Sequence, residues 1–387
     1  MKKALVLVLD GVGTGELPDA SEYGDCGSDT LGNTARAVGG LQLPNLERLG
    51  LGNIHPIKGV KPVKNPGASW GKMAERSKGK DSTTGHWEMM GVVSETPMPT
   101  FPNGFPEQLI EKYTELTGRN IIGNEVASGT EILERLGEKQ MKTGGLIVYT
   151  SADSVFQVAA HQDIVPVEEL YKHCITAREL LKPPDLGVGR VIARPFTGYP
   201  GSFTRTALRR DFSLEPPERT LIDLLAEMDI PVHGVGKIDD LFAHRNIETV
   251  HAGSNEEEMA LLVKMAAGSN GGFIFANFCD FDTKWGHRNN FKDFAGGLEA
   301  LDSWLPSLLN TLNPDDLMII TADHGNDPTT ASTDHSREFV PLLCYSQGFP
   351  GRKLGVRETF SDIACTLCDF FSIPCPFPGN SFCGGIQ

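Results

Sequence analysis

The segment Thr321-Ala-Asp-His-Gly-Asn326 sets an aspartate beside a histidine just after the apolar run Leu317–Ile320. Two unpaired polar groups buried at the end of a strand would be unfavourable, and a bound metal ion would remove that penalty. A carboxylate oxygen with an imidazole nitrogen suits zinc or manganese, whereas oxygen ligands alone would indicate magnesium or calcium. By itself an Asp–His pair is more often a hydrogen-bonded surface turn, so the prediction of a metal site needs further ligands.

Two other apolar runs end in residues of the same types. Asp10 follows the run Ala4–Leu9, and the segment Asp280-Phe-Asp-Thr-Lys-Trp-Gly-His287 follows the run Gly272–Phe278. The simpler interpretation of each is a turn or a helix-capping aspartate. Two ions roughly 3.5–4 Å apart would instead stabilise both the attacking and the leaving oxygen of an in-line displacement. With His335 added, the candidate ligands provide three residues for each of two ions: Asp10, Asp282, His287, Asp323, His324 and His335.

A displacement of this kind needs a nucleophile, and one segment supplies three adjacent hydroxyl groups. It reads Lys78-Gly-Lys-Asp-Ser-Thr-Thr-Gly-His-Trp-Glu88 and carries Ser82, Thr83 and Thr84. By itself it favours a simpler interpretation, with Ser82 as the N-cap of a helix. A hydroxyl at a helix N-terminus between two cations is, however, well suited to become an alkoxide and then hold a phosphoryl group. The segment is therefore a candidate for the nucleophile.

The apolar runs that precede the acidic residues are typical of parallel strands buried on both faces of a sheet. In open α/β sheets, ligands bind at the carboxyl ends of such strands. Residues that are far apart in the chain would thus meet at one edge. Between the runs, helical periodicity predicts helices over Thr220–Met228 and Phe291–Leu309. The predicted fold class is α/β, with a mostly parallel central sheet flanked by helices.

The middle of the chain lies between two proline-rich segments, and this pattern predicts a second domain. Proline-rich segments at residues 97–106 and 214–218 frame it and are typical of hinges or linkers. Between them lie two predicted strands and a predicted helix. We expect a smaller α/β cap domain over residues 95–213, inserted into a discontinuous core of residues 1–94 and 214–387. The predicted cap elements are Leu146–Thr150, Val191–Ala193 and Val167–Leu181.

The overall composition excludes several classes of partner. The chain has 387 residues, of which 40% are hydrophobic and 22% charged, and a formal net charge of −15. This charge argues against binding to nucleic acid or to anionic membranes. No apolar stretch reaches the ~18 residues of a membrane span. The run Ala4–Leu9 is too short for a signal peptide, so neither a membrane span nor secretion is expected.

The eight cysteines are not a disulfide framework in a chain of this length, which predicts a cytoplasmic location. A zinc site starting from Cys365-Thr-Leu-Cys368 is one interpretation of those near the C-terminus. Small buried side chains on an apolar helix are the favoured interpretation, because no second pair follows at a typical zinc spacing. The cysteines concerned are Cys365, Cys368, Cys375 and Cys383.

Further motifs lie along nearly the whole chain. They include Gly27-Ser-Asp-Thr-Leu-Gly32, Leu43-Pro-Asn-Leu46, Gly85-His-Trp-Glu88, Ala127-Ser-Gly-Thr-Glu-Ile132, Val148-Tyr-Thr-Ser-Ala-Asp-Ser154, Gly189-Arg-Val-Ile-Ala-Arg-Pro195, Gly236-Lys-Ile238 and Thr333-Asp-His-Ser-Arg-Glu338. Together these motifs resemble the phosphopentomutases of the alkaline phosphatase superfamily. The resemblance implies an alkaline-phosphatase-like core. It also implies that one ion is bound by Asp10, Asp323 and His324, and the other by Asp282, His287 and His335.

The same resemblance implies roles for residues outside the metal set. The phosphoacceptor aligns with Ser82, where the family normally has threonine, and Thr83 is the alternative if the register of the loop shifts. Serine fills the same role elsewhere in the superfamily. An arginine guanidinium group can bind a phosphate through two parallel hydrogen bonds. Lysine can also bind phosphate, and serine and aspartate can bind sugar hydroxyls. Arg190, Arg205 and Lys237 are the aligned candidates for binding the distal phosphate, although isolated residues of these types are most often solvated surface charges. Ser151 and Asp153, at the end of a predicted cap strand, are candidates for holding the sugar hydroxyls, and a strand-ending turn is the alternative interpretation.

The reaction implied by the resemblance interconverts ribose 1-phosphate and ribose 5-phosphate, and the 2-deoxyribose pair, through a pentose 1,5-bisphosphate. The implied cofactors are two divalent ions and an activating sugar bisphosphate such as glucose 1,6-bisphosphate. Manganese is the ion typical of the family, although the ligand types alone leave zinc open. The cap would keep water away from the phosphoenzyme. Small pentose phosphates are the expected partners; the oligomeric state is left open, and a monomer is compatible with the sequence.

Other functions remain alternatives at this point. A phosphomonoesterase of the same superfamily would release free phosphate, and metal-dependent phosphoglycerate mutases are typically longer chains. A sulfatase is disfavoured because the chain has no Cys-x-Pro-x-Arg segment. A catalytically silent protein that senses a phosphopentose would be favoured by a lost ligand or hydroxyl. All six candidate ligands and the hydroxyl are present, which favours an enzyme.

Overall fold

The computed structural model describes residues 2–151, 153–183, 186–382 and 384. The chain divides into two compact units. Unit 1 consists of Met1–Thr96 and Pro216–Gln387, and unit 2 of Pro97–Glu215. Cys383, one of the C-terminal cysteines, lies outside the described residues.

The described residues form strands in both units of the chain. In chain order the strands are β1 (Lys3–Leu9), β2 (Ser69–Met73), β3 (Ile121–Val126), β4 (Leu146–Thr150), β5 (Val155–His161), β6 (Arg190–Thr197), β7 (Thr204–Arg205), β8 (Arg210–Ser213), β9 (Val232–Val235), β10 (Glu248–Val250), β11 (Gly272–Phe278), β12 (Leu317–Thr321), β13 (Val340–Tyr345) and β14 (Lys353–Arg357).

The helices range from single turns to a five-turn helix. They are α1 (Thr30–Ala37), α2 (Pro44–Leu49), α3 (Leu51–Ile54), α4 (Ser82–Met89), α5 (Glu107–Thr117), α6 (Gly129–Thr143), α7 (Val167–Leu180), α8 (Leu221–Glu227), α9 (Ile238–Leu241), α10 (Asn255–Gly268), α11 (Phe291–Leu309) and α12 (Asp362–Phe371). A π-helical turn at Phe281–Trp285 and 3-10 turns at Ala20–Tyr23 and Gly286–Arg288 complete the described elements.

Unit 1 is built on an eight-stranded sheet with the order β10-β9-β11-β1-β12-β13-β2-β14. The strands from β10 to β12 are parallel, and β13 runs antiparallel to both of its neighbours. Every residue of β1, β11 and β12 is buried. Burial on both faces of the sheet explains why the sequences of these strands are apolar runs and do not alternate between apolar and polar residues. The predicted mostly parallel sheet with flanking helices is confirmed.

The register of this sheet brings distant parts of the chain to one edge. β1 pairs in parallel with β11 on one side and with β12 on the other, and Leu9 lies opposite Phe278. The residues that follow the three strands therefore leave the sheet side by side. Cys365 and Cys368 are buried in α12, which agrees with the favoured interpretation of these cysteines.

Unit 2 has its own six-stranded sheet, with the order β3-β4-β5-β6-β7 and with β8 paired to β6. Successive residues of its strands face opposite sides, so its hydrophobic residues form two clusters. Val148 belongs to a cluster that includes Tyr113 of α5 and Leu170 of α7. Ile147 belongs to the other cluster, which includes Ile132 of α6. Unit 2 thus has a three-layer α/β arrangement with a core on each face of its sheet.

Candidate metal centre and active site

The six predicted ligands come together at the carboxyl edge of β1, β11 and β12. In the first group, His287 Nε2 lies 3.2 Å from Asp282 Oδ2, and His335 Nε2 lies 3.3 Å from Asp282 Oδ1. Ligand atoms of these three residues all lie within 4.8 Å of one another. The set matches one of the two triads that the sequence predicts.

The second group centres on His324. Its Nε2 atom lies 3.3 Å from Asp10 Oδ1 and 3.4 Å from Asp323 Oδ2. The structure adds one feature to the predicted triad, because ligand atoms of Asp10, Asp282 and His324 also lie within 4.8 Å of one another. Asp282 is therefore within reach of both groups, as expected of a carboxylate placed between two neighbouring ions.

Backbone geometry explains how these side chains converge. Gly11, immediately after Asp10, has a φ of +75°, a conformation that a side chain would strain. Its N–H donates to Asp323 Oδ1 at 3.1 Å, and its carbonyl accepts from the Asn326 N–H at 2.8 Å. The turn after β1 is thus bonded directly to the turn after β12. Asp282 lies in the π-helical turn, a local widening that is frequent at functional sites.

Three side chains contact the carboxylates and restrict their positions. The sequence analysis did not identify these three as site residues. Asn277 Nδ2 donates to Asp10 Oδ2 at 2.9 Å, and Asn326 Nδ2 donates to Asp282 Oδ1 at 2.6 Å. His86 Nδ1 donates to the Ser82 carbonyl at 2.8 Å and lies 3.3 Å from Asp323 Oδ2. A sequence signal for Asn277 does exist, because it is the one amide within the otherwise apolar run of β11.

Ser82 is the first residue of α4 and lies beside the second group. Its Oγ atom is 3.1 Å from His324 Nε2 and 3.5 Å from Asp10 Oδ1. The interpretation of Ser82 as a helix N-cap is wrong, because Asp81 is the N-cap and accepts from the N–H groups of Thr83 and Thr84. Because Asp81 caps the helix, the Ser82 hydroxyl is not needed as a cap and is directed at the candidate ligands.

The helix that carries Ser82 is fixed from its far end by a buried carboxylate. Glu88 accepts from the N–H groups of Arg76, Ser77 and Phe360 and from the Thr359 hydroxyl, at distances of 2.6–2.9 Å. These bonds join α4 to the strand region before it and to the segment before α12. The position of the hydroxyl is therefore determined by contacts on both sides of the helix.

The loop before Ser82 is held by a buried arginine. Arg337 Nη1 donates to the carbonyls of Ser77 and Gly79 and to Glu75 Oε2, while its other nitrogens bond Asp19. Arg337 lies two residues beyond His335. The chain that carries one ligand thus also fixes the loop that presents the candidate nucleophile.

Comparison with known proteins agrees with this site. A family of proteins described as the metalloenzyme superfamily matches residues 2–375. A phosphopentomutase from Carboxydothermus hydrogenoformans is 55% identical over the full length of both chains, and one from Thermotoga maritima is 53% identical over 98% of each. The chain belongs to the phosphopentomutase family. It is an enzyme, an isomerase of the phosphotransferase type.

A solved structure supports the fold. A protein from Pyrococcus horikoshii aligns with a TM-score of 0.51 at 16% identity and covers 98% of this chain and 99% of its own. This likeness supports the α/β fold of the chain. Among the described residues, no helix is both long and apolar enough to cross a membrane.

The electrostatics of the site fit the divalent ions of a phosphopentomutase. Burial raises the pKa of Asp10, and the carboxylates of Asp323 and Asp282 raise it further. Burial opposes ionisation of Asp323 as well, but His324 and His86 outweigh it and bring its pKa to about 2. The pKa of His324 is likewise raised well above its ordinary value by Asp323 and Asp10, against the effect of burial. Clustered carboxylates of this kind attract positive charge, which a metal ion supplies.

Two buried atoms of the set, Asp323 Oδ2 and His335 Nε2, make no hydrogen bond of good geometry within the described residues, although each lies 3.3–3.4 Å from an oppositely charged group. A buried polar atom without a hydrogen bond is unfavourable, and a metal–ligand bond would satisfy each of these. Carboxylate oxygens and imidazole nitrogens form the ligand set of Mn²⁺ or Zn²⁺. The residues therefore fit divalent metal ions in both groups.

The predicted substrate-binding residues fall into separate places. In unit 2, Arg190 Nη2 lies 3.8 Å from Asp153 Oδ2, and Ser151 Oγ accepts from the Asp153 N–H. These three residues form one cluster. Arg205 lies elsewhere in unit 2, because β7 pairs it with Phe196, at the far end of β6 from Arg190 and about 20 Å along the strand. In unit 1, Lys237 lies directly before α9.

Proposed function

We propose that the enzyme interconverts ribose 1-phosphate and ribose 5-phosphate, and the 2-deoxyribose pair, through a phosphoserine at Ser82. The observation that carries this proposal is the position of the Ser82 hydroxyl, 3.1 Å from His324 Nε2 and 3.5 Å from Asp10 Oδ1. A nucleophile beside a set of buried carboxylates and imidazoles is the arrangement that two-metal phosphoryl transfer needs. Full-length relatives named phosphopentomutase support the same reaction.

Six residues are proposed as ligands for two ions, which we propose to be Mn²⁺: Asp10, Asp282, His287, Asp323, His324 and His335. When bound, such ions lower the pKa of a hydroxyl nucleophile and neutralise charge on phosphoryl oxygens. Asn277, Asn326 and His86 would hold the carboxylates in the geometry that the ions require.

The proposed cycle begins with the phosphorylated form of Ser82, primed by glucose 1,6-bisphosphate or a similar sugar bisphosphate. The bond from phosphorus to Ser82 Oγ breaks as a bond forms to the free hydroxyl of the pentose phosphate, whose proton is released. The product is a pentose 1,5-bisphosphate. After it reorients, the bond from its other phosphorus to the pentose oxygen breaks as a bond forms to Ser82 Oγ. The pentose oxygen takes up a proton, and the isomerised monophosphate leaves. The N-terminal N–H groups of α4 would stabilise the phosphoserine.

We propose that unit 2 supplies groups that bind the sugar and its non-reacting phosphate and that it excludes water during transfer. Arg190, Asp153 and Ser151 are proposed as one binding cluster, and Arg205 as a second cationic position. Lys237 of unit 1 is proposed as a further phosphate ligand. Exclusion of water would prevent hydrolysis of the phosphoserine. A cytoplasmic location is also proposed, because eight cysteines in a chain of this length are not typical of a disulfide framework.

The test is a coupled assay of the purified protein with Mn²⁺, ribose 1-phosphate and a trace of glucose 1,6-bisphosphate. Ribose 5-phosphate and free phosphate are followed together. We expect ribose 5-phosphate without release of phosphate. Dominant release of phosphate would make the protein a phosphomonoesterase and would overturn the mutase proposal, while leaving the metal ligands as proposed.

A further inference from the structure

A second group of carboxylates and imidazoles lies in unit 1, outside the six candidate ligands. Asp239 and Asp240 belong to α9, His244 follows that helix, and His251 follows β10. All four side chains come from a segment of thirteen residues. The segment folds back on itself because β9 and β10 pair in parallel, which brings the end of β10 beside α9.

The atoms of this group are spaced as ligands are. Asp239 Oδ2 lies 3.0 Å from His251 Nε2 and 3.0 Å from His244 Nδ1. Ligand atoms of Asp239, Asp240 and His251 all lie within 4.8 Å of one another. Ligands on a tetrahedral ion with bonds of about 2.1 Å are roughly 3.4 Å apart. The distance from Asp239 to His251 is shorter than this and also fits a hydrogen bond, whereas nitrogen and oxygen lie 3.2–3.4 Å apart in the two candidate catalytic groups.

We propose that Asp239, Asp240 and His251 form an additional site for a divalent transition-metal ion. Two carboxylates and one imidazole suit Mn²⁺, Co²⁺ or Zn²⁺ better than the hard ions Mg²⁺ and Ca²⁺. Asp239 is only 7% exposed, and a buried carboxylate is unfavourable unless a positive charge compensates it. Asp240 and His251 are partly open to solvent, so an ion can enter, and water can complete its coordination.

His244 has a different part in this site. Its Nδ1 atom contacts Asp239, and its Nε2 atom lies 3.6 Å from Asp240 Oδ1. One ring therefore bridges the two carboxylates and orients them. Partners of this kind around a metal site strengthen binding without being ligands, and their loss typically weakens affinity about 10- to 100-fold.

The site would stabilise a segment next to the candidate active site. Lys237 immediately precedes α9, and the carbonyl of Leu241 in α9 accepts from Trp87 Nε1 at 2.8 Å. Trp87 belongs to α4, the helix that begins at Ser82. An ion bound by Asp239 and His251 would join α9 to the end of β10. It would thereby fix α9, which follows Lys237 in the chain and accepts the hydrogen bond from Trp87.

Hydrogen bonds from two imidazoles to Asp239 are the alternative explanation of the same geometry, and a count of bound ions separates the two. The wild-type enzyme and each variant are dialysed against low-micromolar Co²⁺, and bound cobalt per chain is measured by elemental analysis. His251→Gln changes a half-exposed residue, so this variant should fold. Asp239→Asn tests the buried ligand. His233→Gln, on the neighbouring strand β9, is the matched control.

We expect His251→Gln and Asp239→Asn to bind one cobalt ion fewer per chain than wild type and His233→Gln. We expect His244→Gln to keep the ion with an affinity about 10- to 100-fold weaker. Cobalt should also raise the Tm of the wild-type protein more than that of His251→Gln. Equal cobalt content in wild type and His251→Gln would overturn the proposal, as would the loss of one ion from the His233→Gln control. The comparison counts a difference between variants, so it is independent of the proposed mutase reaction.

Discussion

The hydroxyl oxygen of Ser82 lies 3.1 Å from Nε2 of His324, although 242 positions separate the two residues in the chain. Gly85 makes this approach possible. A Cβ atom added at Gly85 would overlap the carbonyl oxygen of Asp323, the residue before His324. α4 can therefore rest directly on the turn after β12 because one of its residues has no side chain.

Replacement of Ser82 tests the nucleophile. We expect Ser82→Ala to form no phosphoenzyme with glucose 1,6-bisphosphate while it still binds two metal ions per chain, because no proposed ligand is changed. Intact-protein mass spectrometry and elemental analysis measure the two quantities. Ser82→Thr, which restores a hydroxyl of the type usual in the family, is the matched control and should be phosphorylated. Phosphate incorporation into Ser82→Ala would transfer the role to Thr83.

Replacement of Gly85 tests the contact between α4 and the metal edge. We expect Gly85→Ala to lower the free energy of unfolding by about 1–3 kcal/mol through overpacking. It should also reduce kcat, since the added methyl group would push Ser82 away from His324. Gly296→Ala is the control, because Gly296 lies within α11 and a methyl group added there would meet open space. That change should leave activity intact and stabilise the protein by about 0.5–1 kcal/mol. Equal behaviour of the two variants would contradict the contact argument.

Asn277 offers a test of the groups that orient the ligands. It donates to Asp10 Oδ2 at 2.9 Å, so Asn277→Ala should weaken Mn²⁺ binding about 10- to 100-fold. Titration of the metal-free protein, followed by Mn²⁺ electron paramagnetic resonance, measures the affinity. Asn313→Ala serves as control, because Asn313 bonds Asp316 in a turn before β12 rather than a proposed ligand. An unchanged affinity in Asn277→Ala would show that Asp10 needs no such support.

Asp223 gives a prediction for the pH dependence of stability. It completes a capping box with Thr220 at the start of α8 and bonds Arg245. Burial opposes its ionisation, but the Arg245 and Thr220 hydrogen bonds outweigh this and lower the pKa of Asp223. Because the folded-state pKa is the lower one, the stabilisation is complete above the unfolded value of about 4. It is lost as the pH falls through the folded-state pKa.

Asp223→Asn should therefore destabilise the protein by about 1–2 kcal/mol at pH 7, and the difference from wild type should shrink as the pH is lowered below 4. Urea unfolding at a series of pH values measures it. Glu227→Gln, which removes an exposed ion pair with Arg219, is the control and should change stability by less than about 1 kcal/mol at any pH. A difference for Asp223→Asn that stays constant with pH would contradict the assignment.

Local patterns in the sequence were sufficient to predict the strands that form the metal edge. The predicted run Gly272–Phe278 matches β11 residue for residue, and the runs Ala4–Leu9 and Leu317–Ile320 match β1 and β12 to within one residue, because strands buried on both faces favour apolar runs. Helix α11 likewise matches the predicted Phe291–Leu309. Its apolar face repeats with the helical period and is long enough to be distinct.

The sequence by itself determined which residue types are available for chemistry and that Asp10, Asp282 and Asp323 each come shortly after a buried strand. It could not determine which side chains touch. That Asp282 lies within reach of both ligand groups and that Ser82 lies beside His324 both depend on the register of strands far apart in the chain. Strand register is set by the packing of many side chains at once, so the tertiary structure alone decided these relationships.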